Sequence, residues 1–391
     1  MMLESDGRNV GRLRIRGGRL TGLFFLLLVT GCWMQPGAPP APAPTELPAA
    51  PDEGTVVSLR VDSTRSLVVL EAGPFDVPPS ASHEHRPGGH AEHEETSPLF
   101  RFRWPVDGWY RGFRVRLVDR HGDTLPGGIL HHVIGVNFDR RQVVYPVPER
   151  FLGVGTETRD ILLPDRFGIP IQRGSDLGVY ASWQNTTGRP VESVYVQVAL
   201  PYLPMSSGVE PEEVVPIYID TNNVIGGTNS FDLPPGAVRR SYEFELPVDG
   251  ALLGLGGHLH DYGRWVRLED AETGEVLVEL RGLADGEGHV RAVEQRIFRK
   301  LFGLLDDRIP LERGKRYRVV GEYHNPTGET IEDGGMAHLT GIFAPSEMGE
   351  WASVDPMSAA YRTDVEALPA PLATGGPASP DGPSGHDTHH H

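Results

Sequence analysis

The run LLGLGGHLHDYGRWVRL (252–268) carries two histidines, His258 and His260, one residue apart. Its β-type patterning predicts a strand, and side chains at i and i+2 of a strand share a face. Two imidazoles so placed can grip one metal ion, with Cu, Zn, Fe or Ni as suitable partners. Otherwise they are unrelated polar residues on an exposed strand. His131 and His132, in GGILHHVIGV, are adjacent. A regular strand sends adjacent side chains to opposite faces, so both reach one ion only where the strand is twisted, bulged or ending. Gly127-Gly128 permit such a distortion; in the alternative, one ring faces the core and one the solvent. Met336, in EDGGMAHLTGIF, adds a thioether. Beside two imidazoles it makes a soft donor set that favours copper, especially Cu(I), although most methionines simply fill cores. His324 follows the strand-like YRVVGEY, either as a further ligand or as a hydrogen-bond partner to one; His338 lies close by.

The elements that must position these residues read as all-β. Short runs such as SLVVLEA, GFRVRLVD, SVYVQVAL, RWVRLED and YRVVGEY are separated by Gly and Pro clusters. That rhythm predicts jelly-roll or β-sandwich architecture. Gln295 to Leu305 reads as either a helix or a strand. PIQRGSDLGVYASWQNTTGRPVE (170–192) aligns without gaps to PLERGKRYRVVGEYHNPTGETIE (310–332), at a constant offset of 140. The tetrapeptide Pro-Val-Asp-Gly recurs at 105–108 and 247–250. Two copies of one β-unit are the physical reading. The expected fold is two tandem jelly-roll-like β-sandwich domains related by internal duplication, 55–204 and 205–345. A Pro/Ala-rich tether (32–54) precedes them, and a disordered tail (346–391) ending in HDTHHH follows.

Residues 1–31 read as a targeting segment, with Arg8, Arg12, Arg14, Arg16 and Arg19 before the apolar stretch Leu20 to Gly31. Val29-Thr30-Gly31-Cys32 resembles a bacterial lipobox, which implies cleavage before Cys32 and a lipid attached to it. The alternative is an ordinary signal peptide with an incidental cysteine. Cys32 is the only cysteine, so no disulfide, thiolate catalysis or cysteine zinc site is available. Removing 1–31 takes away five Arg and two acids, moving the formal charge from −17 to −20. So acidic a chain, without basic clusters, argues against nucleic acid and leaves an acyl anchor as the means of holding a membrane. Trp33 after Cys32 favours the outer membrane by analogy with enterobacterial sorting. The chain also lacks a phosphate-cradling Gly loop, a GxSxG elbow and an HExxH motif.

The order HH, a strand ending in a WxN-type turn, HxH, then Met resembles the type II copper, ascorbate-dependent monooxygenases, the peptidylglycine α-hydroxylating and dopamine β-monooxygenase family. LHHVIGV, GGHLHDYG and IEDGGMAHL carry the likeness, which spans most of residues 100–345. The resemblance implies an oxygen-activating copper at His258, His260 and Met336 and an electron-storing copper at His131 and His132. It also implies ascorbate or another reductant, and hydroxylation of a substrate C–H. The chain departs from the pattern in three places. Ser182 and Gln184 stand where a third histidine of the first site is expected. Gly256 replaces an Arg that contacts the substrate carboxylate in peptide-hydroxylating members, and His338 replaces an Asn. A peptidylglycine substrate is therefore not implied. The loop His83 to His93 either lends the missing ligand or binds metal incidentally.

Three functions follow as expectations: a lipid-anchored copper monooxygenase, a non-catalytic copper-binding or scavenging lipoprotein with one degenerate site, and a metal-free adhesion or glycan-binding lipoprotein. Substrate and oligomeric state are not legible.

Overall fold

The strand Arg316–Asn325 shows how these segments become sheets. Its alternate residues Tyr317, Val319, Tyr323 and Asn325 are buried, while Arg316 and His324 are exposed. A period of two lays one β-branched and aromatic row against the core. A computed structural model describes residues 55–80, 96–155, 160–185, 187–298, 300–301 and 305–372. Cys32, the targeting segment, the tether, the loop His83 to His93 and the terminal histidines lie outside the described residues.

The protein is all-β, built from packed, mainly antiparallel sheets in jelly-roll-like sandwiches. In the first sandwich one sheet runs through Val56–Asp62, Leu67–Val77 and Val191–Pro204, then Gly108–Tyr110 and Phe167–Ile171. The other orders Phe100–Arg103, Asp176–Trp183, Leu130–Arg141 and Pro148–Val154. Trp104, Leu177, Val198 and Leu200 are among the side chains between them. In the second sandwich one sheet orders Val215–Asp220, Ala337–Pro345 and Gly250–Leu259. The other orders Gly236–Glu245, Arg316–Asn325, Gly263–Asp270, Val276–Ala284 and Val290–Val293. Leu252, Val266, Val319 and Phe343 belong to its core.

Strand partners change between Glu213 and Val215, later than the boundary expected at 204/205. Met205–Ser207 forms a turn that resembles a linker in sequence, yet Glu212–Glu213 still pairs with Phe167–Ile171. The two cores also interlock. Val143, Val144, Tyr145 and Val147, from the first half of the chain, pack in the second core. The Tyr145 hydroxyl there accepts a hydrogen bond from Asp220 N at 2.8 Å.

The offset of 140 recurs in hydrogen bonding. Asn185 Nδ2 donates to Val77 O and Arg189 O, and its Oδ1 accepts from Thr187 N and Oγ1. Asn325 Nδ2 donates to Leu233 O and Glu329 O, and its Oδ1 accepts from Thr327 N and Oγ1. Ser193 and Asp333, also 140 apart, both adopt positive φ (56° and 50°).

One open reading is decided and one expectation changes. Gln295 to Leu305, readable as a helix or a strand, contributes the strand pieces Arg296–Ile297 and Lys300–Leu301. Of the segment after Pro345, expected to be a disordered tail, residues 346–372 are described and carry ordered structure. They include the helix Ala359–Glu366, whose N-cap Ser358 accepts from Tyr361 N at 3.2 Å. Arg150 grips Asp364 of that helix in a two-pronged ion pair at 2.8 and 2.9 Å. Its Pro/Gly/Ser content suggested disorder, but Val365 and Leu368 pack against Leu99, Val136 and Phe138.

Candidate metal centre

The strand Gly250–Leu259 lies antiparallel to Ala337–Pro345, with His258 opposite His338 and Leu259 opposite Ala337. The pairing continues one step beyond the strand ends, where His260 N donates to Met336 O at 3.2 Å. Directly opposed residues of an antiparallel pair share a face. His258, His260, Met336 and His338 therefore occupy one face of one sheet, on the side opposite the buried Leu259 and Ala337. The His258 and His260 ring centres are 5.2 Å apart with planes at 87°. Those of His258 and His338 are 5.0 Å apart with planes at 24°.

Tyr323 fixes the methionine. It reaches across from the facing sheet, fully buried, and its hydroxyl donates to Met336 O and accepts from Met336 N at 3.2 Å. Burial raises the Tyr323 pKa far above the usual tyrosine range, so the hydroxyl stays a donor at any working pH. Beneath this point the sheets come very close. A Cβ added at Gly321 would lie 2.6 Å from the Ala337 Cβ, so only glycine fits.

A buried carboxylate backs His338. Asp220 is opposite His338 in the pairing of Val215–Asp220 with Ala337–Pro345 and is 0% exposed. Its Oδ2 accepts from the Tyr218 hydroxyl and lies 3.8 Å from His338 Nδ1; its Oδ1 accepts from Asn222 N at 2.7 Å. The Tyr218 ring sits 4.8 Å from the His338 ring. Burial pushes the Asp220 pKa up to about 6, opposed by the hydrogen bonds it accepts and by His258.

In the first sandwich a β-bulge meets the condition on His131 and His132. Ser182 pairs with His132, but Trp183 pairs with Leu130, so His131 is the extra residue. The two rings stand 4.0 Å apart. A carbonyl can only accept, so His132 Nδ1 donates to Val154 O at 3.2 Å, and a metal ion at this ring would take Nε2. Ser182 is buried and its Oγ accepts from His132 N at 3.2 Å. Gln184 is exposed. Neither supplies a third imidazole.

His324 is not on the His258 face. It follows the inward Tyr323 on the same strand and points to the exposed side, by the alternation of strand side chains. Asp261, next to His260, accepts from His289 Nδ1 at 2.7 Å and from Val290 N at 3.0 Å. That bond raises the His289 pKa. Tyr262 occupies a turn at φ 65°. Sequence reasoning singled out neither Asp220, Tyr323 nor His289, and it left His338 out of the ligand set. The usable signal was register: once HxH is placed on one strand and MAH on its partner, His338 and Met336 fall opposite the two histidines.

Two imidazoles sharing one ion at metal–N distances of about 2.0–2.1 Å have ring centres roughly 5 Å apart. The His258–His260 spacing fits, and so does the chemistry of the set. Among the described residues, no three or more His, Cys, Asp or Glu side chains already converge on one point. What is shared is the face.

No family model and no curated protein sequence matches the chain. Among solved structures, it is similar to the STIV MCP (9% identity, TM-score 0.33, 66% of this chain and 95% of that one). It is similar to the major capsid protein P2 from bacteriophage PM2 (9%, 0.32, 70% and 98%). A third likeness is to PNGase F, a glycosylasparaginase from Flavobacterium meningosepticum (8%, 0.32, 75% and 97%). Values this low carry no inference about activity.

Proposed function

We propose that the chain is an exported, lipid-anchored copper-binding protein whose ion is held in the second sandwich. The observation that carries this reading is the register that sets His258, His260 and Met336 on one face. Two imidazoles and a thioether suit copper, Cu(I) in particular. When bound, copper supplies one-electron redox chemistry. His258 and His260 bind the ion, Met336 adds sulfur, and Tyr323 fixes the Met336 backbone. The two sandwiches are copies of one duplicated unit, and a lipid on Cys32 holds the protein on the periplasmic face of the outer membrane.

The test uses the full mature chain with His386 and His389 to His391 changed to alanine. It is loaded with copper and counted by metal analysis. One ion per chain is expected, lost in His258→Ala and kept in His131→Ala. No tightly bound copper overturns the reading and leaves a metal-free adhesion or glycan-binding lipoprotein. Mass spectrometry of the N-terminal peptide checks the lipid on Cys32.

A second reading, reductant-dependent monooxygenation of a small molecule, is favoured by the bulge that brings His131 and His132 together. It expects two coppers and oxygen consumption that depends on ascorbate or another reductant and is abolished in Met336→Ala.

A further inference from the structure

We infer that His338 is a third imidazole donor of the second-sandwich copper site, and that Asp220 is the residue that positions it. The inference rests on the copper reading and deepens it. His338 lies directly opposite His258, with ring centres 5.0 Å apart, and two residues from Met336 on the same face. Its ring is closer to His258 than the His260 ring is, at 5.0 against 5.2 Å. Its other side is built to orient it. The Asp220 carboxylate, fully buried, stands 3.8 Å from Nδ1, and the Tyr218 ring packs at 4.8 Å. A ligand histidine is characteristically held through its second nitrogen by a carboxylate, which sets the tautomer and aims the first nitrogen at the ion. Here the carboxylate lies on the Nδ1 side, so Nε2 is the ligand atom.

Asp220 is itself held. Tyr218 and Asn222 donate to its two oxygens, and Asp220 N donates to Tyr145 at 2.8 Å. Tyr145 comes from the first half of the chain, so the positioning of His338 depends on both halves. With His338 the set becomes three imidazoles and one thioether. Four protein donors make a closed site, whereas a catalytic metal keeps one position open. The second sandwich is accordingly a copper-holding site rather than a dioxygen-activating one.

The probe is Cu(I) alone, added without oxygen to the full mature chain carrying the tail alanines described above. X-ray absorption of the wild-type complex is expected to show one sulfur and three imidazoles. Competition with a chromophoric chelator is expected to show Cu(I) binding at least about 10-fold weaker in His338→Asn, with two imidazoles remaining. Asp220→Asn is expected to keep three imidazoles and to weaken binding by about 10–100-fold, the usual effect of losing an outer partner. The wild-type spectrum needs no variant, so a variant that fails to fold does not remove the test. Two imidazoles in the wild type, or wild-type affinity in a folded His338→Asn, overturns the inference and leaves the copper reading standing. A wild-type chain that binds no copper overturns both.

Discussion

Replacing Tyr323 with phenylalanine removes a single oxygen, and that oxygen touches the Met336 backbone twice. A net protein hydrogen bond contributes about 1 kcal/mol, and a buried donor left unpaired costs about 1–3 kcal/mol. The two sides of Met336 are not equivalent. Its carbonyl keeps the bond from His260 N at 3.2 Å, while its N–H loses the hydroxyl acceptor. Because Met336 is only half-buried, the lower end of the penalty applies, for a total of about 2–3 kcal/mol. Tyr317 on the same strand is the internal control. It is equally buried, but its hydroxyl accepts one bond, from Glu312 N at 2.8 Å, so Tyr317→Phe costs about 1 kcal/mol. Urea unfolding of the metal-free full chain, at unchanged m-value, measures both. Under the proposed copper reading, loosening Met336 is also expected to weaken Cu(I) binding by about 10-fold, as for loss of an outer partner. Cu(II) binding, carried by the imidazoles, changes much less. If Tyr323→Phe costs no more than Tyr317→Phe, the hydroxyl does not hold Met336 and the positioning argument is refuted.

Three other outcomes follow from the same structure. Arg140 and Glu149 form a buried bidentate pair at 2.6 and 2.5 Å. Glu149→Gln strands the guanidinium and should cost about 3–5 kcal/mol in urea unfolding, while replacing both partners with apolar residues costs far less. Asn185→Ala and Asn325→Ala each delete four hydrogen bonds of the same pattern, and each should cost about 2–4 kcal/mol. Unequal costs, one large and one negligible, would show that the recurring bonds are not equivalent. Asp220 titrates near pH 6 when folded, against about 3.9 in an unfolded chain. The folded state then holds the proton more tightly, so metal-free stability falls as pH rises from about 4 to 6, by up to about 3 kcal/mol. The groups facing this carboxylate include Tyr218, Tyr145, Asn222, Asn229, His338 and His258. Asp220→Asn should flatten that slope, and an unchanged slope counts against the assignment.

How much of this was readable in advance depends on the range of the interaction. The all-β class was legible because a period of two is a local property, visible in RYRVVGEYHN before any partner is known. The sequence match at an offset of 140 is accompanied by a like hydrogen-bond pattern: Asn185 and Asn325 each tie their own turn to a distant strand end, at Val77 and at Leu233. The His131-His132 condition was also local, since adjacent histidines require an irregular strand, and the bulge at His131, opposite Ser182 and Trp183, supplies it. What escaped was set by register and by packing between sheets. Nothing in IYID marks Asp220 as the carboxylate behind a histidine over a hundred residues later; only the pairing of Val215–Asp220 with Ala337–Pro345 does. Nothing in YRVVGEY marks Tyr323; the facing of the two sheets, close at Gly321, is what places its hydroxyl on the Met336 backbone. His324 failed in the opposite direction. It sits beside a residue that matters, but a strand gives neighbours opposite faces, so nearness in sequence to Tyr323 is what carries His324 away from the site. The tail misled through composition: Pro, Gly and Ser report low intrinsic order, yet one part-buried ion pair, Arg150 with Asp364, together with Val365 and Leu368, docks a helix there. The candidate donor types are thus written in the sequence, while which of them share a face is written in which strand lies beside which.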